Sequence, residues 1–306
     1  MNNSEYENIL EDVIDACFYS TVKPRIRISS IRLLAEVLIR KLLLIDDSID
    51  ITLGGKLVKN GLKNHLIYDP EFAEAFNIMK DLADDCSHTG LKKPVTNDEY
   101  KKSLDAIIYI YSYLFIDFFH RNEFNKNMGI VSLFSILPPE IRVYTLSKLL
   151  KDEPDNIFIL HKLSLARLKL LGLNNTIKWL YNNKDEFDLS DSKLATLHYY
   201  KSIIKENVYS TKTVIEHINV NLNLNSALEY LFKNLITTDG NIKREGSRYY
   251  SFESAKEFYL KKKSEIHNHT EILDEFLDLM DLCYMGRKME ENPNILKDDQ
   301  SYITIF

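Results

Sequence analysis

Apolar residues recur along this chain every three or four positions, the spacing of helices that bury one face. In residues 4–20, Ile9, Val13, Cys17 and Phe18 fall on one side. Pro24 interrupts, and Ser29 or Ser30 offers an N-cap for a helix over residues 31–44. Its positions Leu34, Val37, Leu38 and Leu42, with the stem of Lys41, wrap more than half the circumference, as in a helix central to a bundle. Gly54-Gly55 opens a short helix over 56–60. Asp69-Pro70 starts another over 71–85, because proline suits the first helical turn, and His88-Thr89-Gly90 ends it. A long helix rich in Ile, Tyr and Phe follows over 98–121. The pattern predicts a bundle of four or five helices over residues 1–125.

Residues 122–129 are polar, and Pro138-Pro139 begins something new. Residues 126–137 are therefore expected to be a linker. Beyond it the chain alternates turn punctuation with amphipathic segments: 139–151, 157–171, 175–183, 190–206, 211–219, 224–235, 252–267 and 270–289. Gly172 and Glu153-Pro154-Asp155-Asn156 mark breaks between them. A small hairpin or ordered loop is expected over 240–250. The expected class is all-α: an N-terminal helical bundle, then an irregular, solenoid-like helical-repeat domain over 138–291. A tail over 292–306 ends in the apolar Tyr302-Ile-Thr-Ile-Phe306.

Composition narrows the picture. Only 9 glycines and 7 prolines among 306 residues argue against the many tight turns of a sandwich or barrel. A net charge of −6 carries no overall nucleic-acid footprint. Cys17, Cys86 and Cys283 are odd in number and far apart, which speaks against a disulfide framework or zinc site and for a reducing compartment. The acidic N-terminus lacks a secretion signal. The most apolar stretches, 31–45 and 107–119, carry Arg32, Glu36, Arg40, Lys41 and Asp117 and are too short and charged to cross a bilayer. A cytoplasmic protein without membrane association is expected. No P-loop, GxGxxG, HExxH or GxSxG phrase is present, and no cofactor or metal is expected.

The sharpest local signal is Lys80-Asp-Leu-Ala-Asp84-Asp85-Cys86-Ser87-His88-Thr89-Gly90. Asp84 and His88 are four apart and share a helix face. A carboxylate can hold an imidazole tautomer, and histidine suits proton transfer near neutral pH. The same residues also read as a helix end, where a histidine favours the dipole and Gly90 stops the helix. Glu36 and Arg40, four apart, read as an ion pair or as groups reaching toward His88. A second region, Lys243, Arg244, Arg248 and Lys261-Lys262-Lys263, interleaves cations with Tyr249, Tyr250 and Tyr259. Bases could stack there while cations meet phosphates, or the residues could be a solvated face over a tyrosine core.

The order "RLLAEVLIRKLL", "GGKLVKNGL", "EFAEAFNIMKDLADDCSH" and a long helix after "TNDEY" resembles bacterial helical domains of the HEPN type, over residues 25–122. Those domains commonly carry an N-x-x-(A/S)-H phrase at the end of a main helix. The resemblance implies a metal-independent endoribonuclease acting as a dimer, with an arginine, a polar residue and a histidine. His88 matches the histidine, and Asp84 stands where asparagine is usual. The expected arginine is missing, and Arg40 or Lys80 are the candidates to replace it. The second half resembles tetratricopeptide-type α-solenoid repeats through Glu153-Pro154-Asp155-Asn156, Leu165-Ala166, Leu171-Gly172 and "DSKLATLHYYKSIIKEN". Such repeats imply a concave surface for a partner.

The expected function is a non-catalytic adaptor of a bacterial defence or stress-response system, binding a protein partner through its helical repeats. Its N-terminal bundle is a candidate homodimer surface. The alternatives are an endoribonuclease using His88 with Asp84 and Arg40, and a nucleic-acid-binding subunit using the region from Lys243 to Lys263.

Overall fold

A computed structural model describes residues 3–18, 22–87, 94–187, 227–245 and 252–286. These are helical, with no strand among the described residues. The helices are α1 (Asn3–Phe18), α2 (Pro24–Leu42), α3 (Lys56–Tyr68), α4 (Pro70–Ser87), α5 (Asn97–Arg121), α6 (Met128–Phe134), α7 (Pro139–Asp152), α8 (Ile157–Asn182), α9 (Ala227–Glu245), α10 (Phe252–Ser264) and α11 (Glu271–Tyr284). The all-α class is thereby shown. None of these helices is long and apolar enough to cross a membrane.

The helix buried on nearly every side is α5, which packs against α2, α4 and α7. A capping box fixes its start: the Thr96 hydroxyl accepts from the Glu99 N–H at 3.2 Å, and the Glu99 carboxylate accepts from the Thr96 N–H at 2.8 Å. The central position expected for α2 thus falls to α5. One side of α2 does face α4 and α5 through Ile28, Ile31, Leu34, Ala35, Leu38 and Ile39. Its opposite side leaves Ile26 and Leu33 exposed. Pro24 does not interrupt α2 but begins it, because the first helical residue needs no N–H partner.

Residues 126–137 are not a polar linker. They carry α6, capped by the Asn127 side chain, and bury Ile130, Val131, Leu133, Phe134, Ile136 and Leu137. The polar residues before α6 disguise an apolar run long enough for two helical turns. One continuous apolar core runs from α1 to α11 across this segment. At its centre, Phe276 of α11 meets Phe115, Phe118 and Phe119 of α5 at ring-centroid distances of 5.8, 5.2 and 6.0 Å.

The break expected at Gly172 is present. There φ is +78° and ψ is 170°, a backbone conformation open to glycine and closed to side chains with a Cβ, and it divides α8 in two. Residues 240–245 continue α9 rather than turning into a hairpin. The helices expected over 190–206 and 211–219, residues 246–250 and the tail lie outside the described residues.

Candidate functional site

Asp84 lies in the last turn of α4, and His88 lies outside the described residues. The cation brought to that helix end is Arg25, from the first turn of α2, whose Nε donates to the Cys86 carbonyl at 2.9 Å. Arg40 stands fifteen residues further along the same helix, about 22 Å away. Its Nη1 donates to the Asp46 carbonyl at 2.5 Å, and its Nε lies 4.0 Å from Asp47 Oδ1. The structure therefore does not bring Arg40 to the end of α4. Nor does Arg40 take Glu36 as its partner: Arg32 does, at 3.5 Å. Burial raises the Glu36 carboxyl above its usual range, with Arg32 opposing the shift. Lys80 pairs with Asp81 at 3.0 Å.

The basic region is largely neutralised where it is described. Lys243 bonds Asp239 at 2.7 Å, Lys262 bonds Glu265 at 2.7 Å and Lys263 bonds Asp281 at 2.5 Å. Arg244 donates to the Asn241 side chain at 2.7 Å, and Lys261 is exposed in the last turn of α10. Arg248, Tyr249 and Tyr250 lie outside the described residues. Tyr259 offers no platform for a base. It is fully buried, stacks on Tyr284 at 5.3 Å and donates its hydroxyl to Asp281 at 2.7 Å.

Two polar features escaped the sequence pattern. The first is centred on Asp69, at the corner between α3 and α4. Its Oδ1 accepts the Phe72 N–H at 2.9 Å, capping α4, and the Tyr109 hydroxyl at 3.2 Å. Lys148 of α7 lies 3.9 Å from Oδ2 and also meets Asp152, while Tyr109 donates to Glu71 at 2.9 Å. Asp152 accepts from the Tyr68 hydroxyl at 2.8 Å and lies 3.0 Å from His120 Nε2. Burial and then Asp152 push the Tyr68 hydroxyl up to about 12, so it stays protonated and donates. These groups tie the α3–α4 corner to α5 and α7.

The second is Glu140, in the first turn of α7, with one carboxylate oxygen buried and without a hydrogen-bond partner among the described residues. Burial pushes its carboxyl from the ordinary 4.5 up to about 7, with its own N–H and Arg142 opposing. A carboxyl that holds its proton more tightly in the folded chain stabilises the fold fully below the unfolded value. That contribution is lost as pH rises through the folded value. Stability is therefore expected to decline between about pH 4.5 and about pH 7, and Glu140→Gln to flatten that decline. Urea midpoints should rise for the variant at about pH 8 and change little at about pH 4; identical pH profiles would refute the assignment.

A groove of about 540 Å³ opens between the C-terminal end of α2, α1 and α11. Leu10, Val37, Ile45, Leu282 and Met285 give it an apolar lining, and Asp46, Asp47, Asp278 and Asp281 stand around it with Arg40 and Lys41. Arg40, singled out from the sequence as a catalytic candidate, is thus a groove residue. Lys41 bridges to Asp278 at 3.1 Å across 237 residues of sequence.

Leu44 also lines this groove. The chain leaves α2 through a left-handed residue: the Leu44 N–H bonds the Lys41 carbonyl at 3.3 Å and the Ile45 N–H bonds the Arg40 carbonyl at 3.0 Å. Glycine ordinarily takes the position of the first of these donors, where Leu44 has φ +52°. A side chain there costs about 1 kcal/mol through its Cβ. Burial does not offset that cost, because Leu44 is 86% exposed. No signal in the sequence distinguishes Leu44 from the other leucines of this helix end.

Among the described residues no three His, Cys, Asp or Glu side chains are placed to hold one metal ion. In comparisons with known proteins, the chain matches no family model, no curated protein and no solved structure.

Proposed function

We propose that the protein is a non-catalytic adaptor that seats a protein partner in the groove between α1, α2 and α11. The observation that supports this reading is Leu44, a large apolar side chain held in solvent at a strained backbone position on the groove's edge. Strain retained without a packing gain points to a role outside the fold. The resemblance of residues 25–122 to HEPN-type domains adds a setting, a bacterial defence or stress-response system.

Leu44→Gly tests it. The variant removes the Cβ strain and no buried surface, so its unfolding free energy is expected to rise by about 0.5–1 kcal/mol. A partner that co-purifies with the wild-type chain is expected to be lost. Retention of the same partner by a stabilised Leu44→Gly protein would sink the reading.

A second reading, RNA cleavage through His88, is supported by Arg25, the guanidinium at the end of α4. The adaptor reading expects RNA to remain intact with purified protein in EDTA. Cleavage that disappears in both His88→Ala and Arg25→Ala would reverse the order of the two.

A further inference from the structure

The groove's charge and shape go further than the adaptor reading on which they rest. We infer that its occupant is a cationic amphipathic helix of a partner protein. Four carboxylates line it against Arg40 and Lys41, with Lys263 bonded to Asp281 from α10, which leaves one negative charge in excess. Two of the carboxylates stand further out than the cations: the side chains of Asp47 and Asp278 are 66% and 61% exposed, while those of Arg40 and Lys41 are 15% and 33% exposed. An approaching molecule therefore meets the carboxylates of Asp47 and Asp278 and the apolar Leu44 before it meets Arg40 or Lys41. Phosphate backbones and anionic bilayers are repelled by those carboxylates, whereas Lys and Arg side chains are drawn to them.

The apolar surface continues beyond the groove. Val37 stands one turn from the groove residue Lys41, Leu33 lies one turn before Val37, and Ile26 two turns before Leu33. Leu33 and Ile26 are both exposed. From Ile26 to the end of α2 at Leu42 the helix rises about 24 Å, the length of a helix of about 16 residues, with Ser29 and Ser30 standing between Ile26 and Leu33. The groove's walls are helices, whose ridges and grooves accept another helix, and no strand edge is exposed among the described residues for an extended peptide to join.

The test uses the full chain and three synthetic peptides of about 16 residues: an amphipathic Leu/Lys helix, the same composition scrambled, and an amphipathic Leu/Glu helix. Fluorescence anisotropy is expected to show the Leu/Lys helix binding roughly tenfold tighter than either control, with affinity falling as salt rises. Asp47→Asn combined with Asp278→Asn is expected to remove most of that preference, and Leu44→Gly to weaken binding, with circular dichroism confirming that both variants fold. Equal binding of the Leu/Lys and Leu/Glu helices, still sensitive to Leu44→Gly, overturns the cationic partner and leaves the adaptor reading intact. Binding indifferent to Leu44→Gly overturns the groove as the seat of the partner. Co-purification unchanged in Leu44→Gly overturns the adaptor reading itself.

Discussion

Asp69→Ala is expected to lower the unfolding free energy by about 3 kcal/mol, read as the change in urea midpoint at constant slope. Asp69 is 1% exposed, and three elements depend on it. Its carboxylate caps α4 through the Phe72 N–H, accepts the Tyr109 hydroxyl from α5, and faces Lys148 of α7. Loss of the cap alone costs about 1 kcal/mol. The larger part comes from the groups left behind, since a buried donor without its acceptor costs about 1–3 kcal/mol. Tyr109 keeps Glu71 as an acceptor, and Lys148 keeps Asp152 at 3.7 Å, which holds the total below that of an isolated buried charge. Asp69→Asn separates the contributions. It keeps an oxygen for the cap and for Tyr109 and removes only the charge facing Lys148, so it is expected to cost about 1 kcal/mol. Equal, small losses for the two variants would mean that the network contributes nothing to stability.

That network shows what the sequence could and could not convey. Spacing identified several helices and their punctuation: Pro70 at the start of α4, Pro139 at the start of α7, and Gly172 inside α8 act as the pattern predicts. These are local signals, written within a few residues of their effect. Asp69 was legible only as the residue before Pro70. Its partners Tyr109 and Lys148 lie 40 and 79 positions away, and only tertiary packing brings them together. Lys41 and Asp278 are the same case across the groove. Periodicity also tells which residues share a face without telling what that face meets. The apolar span of α2 implied a central helix, yet Ile26 and Leu33 face solvent. The cation at the end of α4 was sought in Arg40 or Lys80, as replacements for the arginine that the resemblance to HEPN-type domains implies. The packing of α2 against α4 supplies Arg25 instead. Leu44 was invisible for a further reason: its left-handed φ depends on how the chain leaves α2, and leucine gives no hint of it.

The apolar core that runs through residues 126–137 leads to the second large effect. Phe276→Ala is expected to destabilise the whole chain by about 4 kcal/mol, because its ring is fully buried and truncation leaves a cavity that rigid helices fill poorly. The ring belongs to α11, near the end of the described chain, but its neighbours Phe115, Phe118 and Phe119 belong to α5, the helix around which the first half is built. Tyr284 adds a second tie by donating its hydroxyl to the Ile136 carbonyl at 2.9 Å, in the segment after α6. If residues before 126 closed on themselves, only the second half of the chain would register the substitution. A core shared between α5 and α11 transmits the loss to both. In Phe276→Ala, amide exchange is therefore expected to accelerate together in α5 and α11. Urea unfolding followed by far-UV dichroism should coincide with that followed by fluorescence of Trp179, the lone tryptophan, in α8. Separate transitions, with α5 still protected after the tryptophan signal is lost, would instead show that the first half stands alone. The groove would then lie between two independently stable bodies, and its affinity for a partner would vary with the docking of α11 rather than with the stability of the chain.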